Sequence, residues 1–238
     1  MLSWREHYLD RLTRSTGTEQ LIFAELAGIV GEIGFEYCSV GIRLPRVGSS
    51  PRQSWMSTYP AHWLNHYFSH DYAAIDPAID TALHSPAPVV WSDELFKDQP
   101  CFWEEARAHG VRHGWILAMH GRCGETGLIS VARSAGPLSS AELAETEAKL
   151  VWLSHVANGV IGNLVAQHDA PVILREPTER EREVLRWTAM GKTSDEIGII
   201  LGISTRTVNF HIATILAKLD AVNKTQAVAK AMMFDLFY

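Results

Sequence analysis

Between Thr178 and Phe234, apolar positions recur at a helical period and polar residues punctuate them at short intervals. The clearest stripe is Val208, Ile212, Ile215, Leu216 and Leu219, spaced i, i+4, i+7, i+8 and i+11, which puts all five on one helix face. Thr178 with Glu181, and Thr193 with Glu196, have the spacing of capping boxes. Ser204 precedes the striped helix as a cap, and Asn223 with Gln226 repeats the box ahead of a fourth helix. Gly191 and Gly202 stand where helices end on a left-handed residue. Four helices are expected, the second and third separated by a glycine-containing turn of about three residues.

Upstream the period changes. Residues 18–34 read as an amphipathic helix with a threonine cap and a terminal glycine, 35–44 as a strand, 52–59 as its neighbour, and 60–70 as a short helix. Residues 113–119 and 127–133 are apolar strands flanking a glycine-rich turn, and 139–167 form a long helix capped by Ser139 or Ser140. This order predicts an α+β domain, an α/β/α sandwich with a mainly antiparallel sheet, over residues 1–168. A linker over 169–176 and an all-α four-helix helix-turn-helix domain over 177–238 follow. No internal repeat or low-complexity run interrupts the chain.

A short turn between two helices lets one brace the other against a DNA backbone. The polar face of the striped helix carries Thr205, Arg206, Asn209 and Lys218, and its first turns would point into the major groove. Asn209 suits bidentate contact with adenine, and Arg206 suits guanine or phosphate. Thr193, at a helix N-terminus, suits a phosphate oxygen. Lys192 and Thr207 complete the expected DNA contacts. A plain helical bundle would show the stripe alone; caps, turn and polar face together favour DNA.

Charge complicates that reading. The 238 residues carry a formal charge of −6, with 47% apolar and 20% charged residues. From Arg175 onward, nine Lys/Arg face eight Asp/Glu, so the acid excess lies in the larger part. So weakly basic a unit should bind DNA modestly as a single copy, which argues for a dimer on two half-sites. No apolar stretch approaches the roughly 20 residues of a membrane span. The first residues lack a signal-peptide pattern. Cys38, Cys101 and Cys123 are odd in number and far apart, so neither a disulfide framework nor a metal knuckle is expected and a cytoplasmic location is. Cys123 reads as an exposed loop thiol. His109 and His113 stand four apart, but Gly110 and Gly114 break any helix between them, so no metal site is expected. No Ser–His–Asp or Cys–His ordering marks a catalytic centre.

One constellation in the larger domain carries chemistry: Tyr59, Trp63, Tyr67, Asp76, Trp91, Gly114 and Ser130. Trp63 and Tyr67 share a helix face. Buried Trp and Tyr need partners for their polar tips and a buried Asp needs donors, so together they would suit a small amphipathic ligand. Ile42, Leu44, Trp55, Tyr72, Ile75, Val89, Phe102, Trp103, Leu117 and Ile129 are candidates for the apolar remainder. Asp76 before Pro77 reads equally as a helix cap with proline at the first helical position, and Trp63 as plain core.

The C-terminal segment closely resembles the DNA-binding domain of LuxR-type transcription regulators. The resemblance rests on residues 178–185, Trp187, Gly191-Lys192-Thr193, Glu196-Ile197, Ile200-Leu201, Ile203-Ser204, Thr207-Val208, Phe210-His211, Lys218-Leu219 and Asn223-Lys224. It extends upstream to the acyl-homoserine-lactone-binding domain of the same type. There it rests on Gly34-Phe35-Glu36, residues 58–63, Ile75-Asp76-Pro77, Val90-Trp91, residues 103–106, His109-Gly110, His113-Gly114 and residues 127–131. It implies a quorum-sensing transcription regulator that binds an N-acyl-L-homoserine lactone, needs no cofactor and catalyses no reaction. Trp63 would donate to the lactone carbonyl, Asp76 accept from the amide N–H, and Tyr59 and Ser130 donate to the amide carbonyl. Tyr67 and Trp91 would wall the head group, and Gly114 allow close packing. Pro177 stands where the family usually has leucine, and Ala213 offers only a methyl group where a base contact is common. The expected partners are double-stranded DNA at a pseudo-palindromic promoter site, a second copy of the chain and RNA polymerase. The pairing surface would be the 139–167 helix, with Ala227, Val228 and Ala231 of the last helix adding a contact. The alternatives are an orphan receptor for lactones made elsewhere or for another amphipathic signal, and a response regulator. The latter needs an early cluster of acids and a parallel βα alternation that this chain lacks.

Overall fold

The computed structural model describes residues 3–14, 17–46, 50–121, 124–167 and 175–237. They form two compact units, one within 1–168 and the other built mainly on 169–238. Cys123 and most of the expected linker lie outside the described residues.

The larger unit is built on five strands: β1 (Tyr37–Leu44), β2 (Arg52–Ser57), β3 (Val89–Val90), β4 (His113–His120) and β5 (Thr126–Arg133). Their order is β2-β1-β5-β4-β3 and each pairing is antiparallel. Helices α1 (Trp4–Arg14), α2 (Glu19–Ile33) and α6 (Ser140–Gln167) cover one face. Helices α3 (Ala61–Ser69), α4 (Pro77–His84) and α5 (Pro100–Ala108), with a 3₁₀ turn at Tyr72–Ala74, belong to the layer on the other. The expected antiparallel sandwich is therefore present.

Because both faces are covered, the central strands are buried almost without interruption, and side-chain parity sorts them into two cores. Cys38, Val40, Ile42, Trp115, Leu117, Met119, Ile129 and Val131 pack with α1, α2 and α6. Ile116, Leu128 and Ala132 pack with α3–α5. Helix α2 ends on Gly34 at φ 109°, a left-handed cap that turns the chain into β1. Arg133 of β5 reaches Glu142 of α6 through two contacts of 2.5 and 2.8 Å, and Trp4 meets Trp152 edge-on at 5.4 Å. Helices α1 and α5 carried no expectation as elements, and of α4 only the start was expected, at the Asp76 cap before Pro77. Their apolar stripes are short, and what marks α4 and α5 is mainly the proline in the first turn.

The smaller unit contains α7 (Glu179–Ala189), α8 (Ser194–Leu201), α9 (Thr205–Lys218) and α10 (Lys224–Met233). Both capping boxes are closed, at Thr178–Glu181 and Thr193–Glu196, and Ser204 caps Thr207. Asn223 caps Gln226, but the Gln226 amide oxygen accepts from Val222 rather than closing a box. Ala227 and Ala231 face inward, 2% and 0% exposed, in the core shared with α7 and α9. They are spent on this unit's own packing, which corrects the expectation that they add a dimer contact. Among the described residues no single helix is long and apolar enough to cross a membrane.

Candidate functional site

The sheet face toward α3–α5 holds a cavity. Tyr59, Trp63, Tyr67, Asp76, Trp91 and Ser130 all line it, so the structure brings together six of the seven residues of the expected constellation. The seventh, Gly114, lies beneath Trp91: a Cβ on it would fall inside the Trp91 indole, and its carbonyl accepts the Trp91 backbone N–H at 2.9 Å.

Helix α3 explains much of the site. Four-residue spacing turns Trp63 and Tyr67 inward, with ring centroids 5.7 Å apart, while His66 on the adjoining flank binds Glu105 of α5 at 2.6 Å. Tyr72 also donates to Glu105, at 2.5 Å, so an outer polar clamp holds α3 against α5. The hydrogen bonds from Tyr72 and His66 hold the Glu105 carboxyl below its ordinary range.

Asp76 serves two partners at once. Its Oδ1 accepts from the Ala78 N–H at 2.9 Å and caps α4, and its Oδ2 accepts from the Tyr67 hydroxyl at 2.9 Å. The cap and the cavity acceptor are therefore one residue using two oxygens. Burial pushes this carboxyl upward, while the Tyr67, Ala78 and Ile79 hydrogen bonds pull it down. Burial also raises Tyr67 and Tyr59 well above the usual phenol range, so both hydroxyls keep their protons. Tyr59 and Ser130 hydroxyls pair at 2.8 Å above the central strand β5. Among the described residues, the Trp91 indole N–H is buried and has no partner.

Apart from Ser39 the rest of the lining is apolar, as expected of a small-molecule pocket, but its membership differs. Trp55, Phe102 and Trp103 are in place. Ile42, Leu44, Leu117 and Ile129 point into the other core, because a shift of one position along a strand moves a side chain through the sheet. Tyr72, Ile75 and Val89 stand outside the lining. Missed were Ser39, Leu64, Phe68, Ala78, Ile79, Phe96, Ala106, Val111 and Ile116. Ser39 had a usable signal, a small polar residue inside an apolar strand. Register places it directly across from Ser130. Trp103 sends its indole N–H to Asp93 at 2.7 Å, so its polar tip is already satisfied.

In the smaller unit, α8 and α9 cross at 109°, the angle of a helix-turn-helix pair. The turn needs Gly198, since a Cβ there would approach the Ile203 carbonyl oxygen to 2.8 Å. Arg206 and Asn209 are exposed on α9, and Thr205 and Thr207 half-buried beside them. Thr193 is the α8 cap, and Lys192 pairs with Glu196 at 3.2 Å. Ser194 donates to the Asn209 side-chain Oδ1 at 2.8 Å, and Thr205 to Asp195 at 2.6 Å, so small polar bridges preset both side chains. Lys218 is elsewhere. Its ammonium sits 2.6 Å from Glu181 of α7, the two side chains being 17% and 7% exposed, and also donates to the Glu176 carbonyl. That interior ion pair removes it from the expected set of open DNA contacts.

Comparison with known proteins agrees with both halves. Residues 18–160 match the autoinducer binding domain and residues 178–231 match the bacterial regulatory proteins of the luxR family. The chain belongs to the LuxR family of transcription regulators. It is 39% identical to the transcriptional activator protein SolR of Ralstonia nicotianae, over 92% of each chain. The crystal structure of Escherichia coli SdiA is similar at a TM-score of 0.76 and 32% identity, covering 99% of this chain and 98% of that one. A structure of SdiA in complex with octanoyl-rac-glycerol is similar at 0.72 and 31%, covering 98% and 97%. This LuxR-family chain is thus a quorum-sensing transcription regulator, with an autoinducer-binding domain ahead of a helix-turn-helix.

Proposed function

We propose that the cavity takes an N-acyl-L-homoserine lactone and that the filled protein binds promoter DNA as a homodimer. The observation that carries this reading is the convergence of Trp63, Asp76, Trp91 and the Tyr59–Ser130 pair in one otherwise apolar cavity. A lactone amide offers one N–H and one carbonyl, and the ring offers another carbonyl. Asp76 is the acceptor for the N–H, Tyr59 and Ser130 the donors for the amide carbonyl, and Trp63 the donor for the ring carbonyl. Tyr67 and Trp91 enclose the head group, with Gly114 seating Trp91. Filling the cavity stabilises the folded state by mass action. Purified protein should melt at higher temperature with lactone than without, and Trp63→Phe should weaken that shift. Identical melting temperatures across lactones of several chain lengths would refute the ligand assignment.

The domains divide as 1–168 for ligand and pairing, 169–176 for the linker and 177–238 for DNA, in a cytoplasmic protein. Pairing through α6 is supported by its length of 28 residues, only one face of which enters the core. Two helix-turn-helix units would then read half-sites about 34 Å apart, next to RNA polymerase. Lys192 and Thr193 contact phosphate, while Thr205, Arg206, Thr207 and Asn209 face the groove. Asn209→Ala should cost about 1–3 kcal/mol on the specific site and little on non-specific DNA. Competition binding that gave an unchanged ratio would show that Asn209 reads no base.

A further inference from the structure

Sheet order gives the cavity two ends. Trp55 lies on edge strand β2 and Trp91 just beyond the opposite edge strand β3. Four strand spacings separate those edges, about 19 Å, and two separate β2 from β5, where Ser130 and Tyr59 meet, about 10 Å. The Tyr59–Ser130 hydroxyl pair thus stands two strands away from the β2 end.

That end is closed in a particular way. Trp55 pairs in register with Gly41 of β1, and a Cβ on Gly41 would come within 2.7 Å of the Trp55 ring. Only a glycine lets the indole close on the β1 backbone there. Phe68 of α3 meets Trp55 edge-on, with ring centroids 6.4 Å apart at 88°. Both aromatics line the cavity, yet they are 42% and 54% exposed, whereas Trp63, Phe96 and Phe102 are buried. Trp55 and Phe68 are therefore the exposed members of the lining, with solvent on their outer sides.

We infer that Trp55, seated on Gly41 and met by Phe68, is the stop that sets how long an apolar tail the cavity accepts. The inference rests on the reading above only in taking the ligand to be a polar head with an apolar tail. Each methylene that gains contact with protein adds roughly fourfold to affinity. Past Trp55, further carbons must lift the indole off its seat or trail in water. Affinity should therefore climb with tail length and then break.

The test uses the full chain and two ligand series, N-acyl-homoserine lactones and 1-monoacylglycerols, each from butanoyl to tetradecanoyl. Dissociation constants are measured by calorimetry, and each variant's unliganded melt serves as its own reference. Trp55→Ala should move the break to tails about two carbons longer or more. Gly41→Ala, whose methyl occupies the indole's seat, should move it too, and Trp55→Phe should move it less. An unmoved break in all three variants overturns the inference. If lactones bind with that unmoved break, the lactone reading survives without the stop. If only monoacylglycerols bind and their break moves, the stop survives and the lactone reading falls.

Discussion

Asp76→Ala should abolish the response to acyl-homoserine lactone and make the ligand-binding unit melt earlier even without ligand. The carboxylate caps α4 through Ala78 and accepts the Tyr67 hydroxyl. Losing the cap and leaving a buried hydroxyl unpaired should together cost roughly 2–4 kcal/mol. Asp76→Asn separates this structural part from recognition. The amide oxygen can still cap, and the amide N–H can still pair with the tyrosine oxygen. Toward a ligand N–H, however, the NH₂ presents donor to donor. Stability should therefore stay near wild type while lactone affinity falls by more than about tenfold, the worth of a hydrogen bond to a charged group. Urea melts read the first quantity and calorimetric titration the second. Full affinity in the asparagine variant would remove Asp76 from the amide.

The second large effect is expected at Lys218. Lys218→Met leaves Glu181 buried without its counter-charge and should destabilise the helix-turn-helix unit by about 3–5 kcal/mol. Pairing it with Glu181→Leu should recover most of the loss. Hydrogen exchange across α7–α9 in the full chain measures both. Were Lys218 instead a phosphate contact, the variant would keep its protection and lose about one unit of salt slope in DNA binding. The pair also gives a pH signature. Burial alone would raise the Glu181 pKa, but the hydrogen bonds from Lys218 and the Thr178 N–H prevail and hold it below the ordinary value. Its stabilisation is thus complete above the unfolded glutamate pKa of about 4.3 and is lost as pH falls through the lower folded value.

The two units were legible to different degrees. In the smaller one each helix begins at a polar cap whose geometry is local, so Thr178, Thr193, Ser204 and Asn223 marked four starts that the structure shares. What local pattern could not reveal was that Lys218 spans to α7, a contact 37 positions away. In the larger unit β1, β2, β4, β5, α2, α3 and α6 followed from period, while β3, two residues long, carried no readable pattern. The cavity lining did not, because with both sheet faces buried apolar residues occupy successive positions of the central strands and alternation no longer separates inside from pocket. Ile42 and Ile129 therefore looked as eligible as Ile116. Of α4 only the Asp76 cap before Pro77 was legible, and α5, about two turns long, has no capping side chain to mark its start.

The order of the elements sets a schedule for the cavity. Asp76 and helices α3–α5 leave the ribosome before β4 and β5, and Ser130 lies 54 positions downstream of Asp76. At about 5–20 residues per second the wall waits roughly 3–10 s for its floor. A signal molecule can be enclosed only after that interval, as β5 pairs between β1 and β4. Until β5 takes its place, a chain has no site for the signal to bind, however much of it is present.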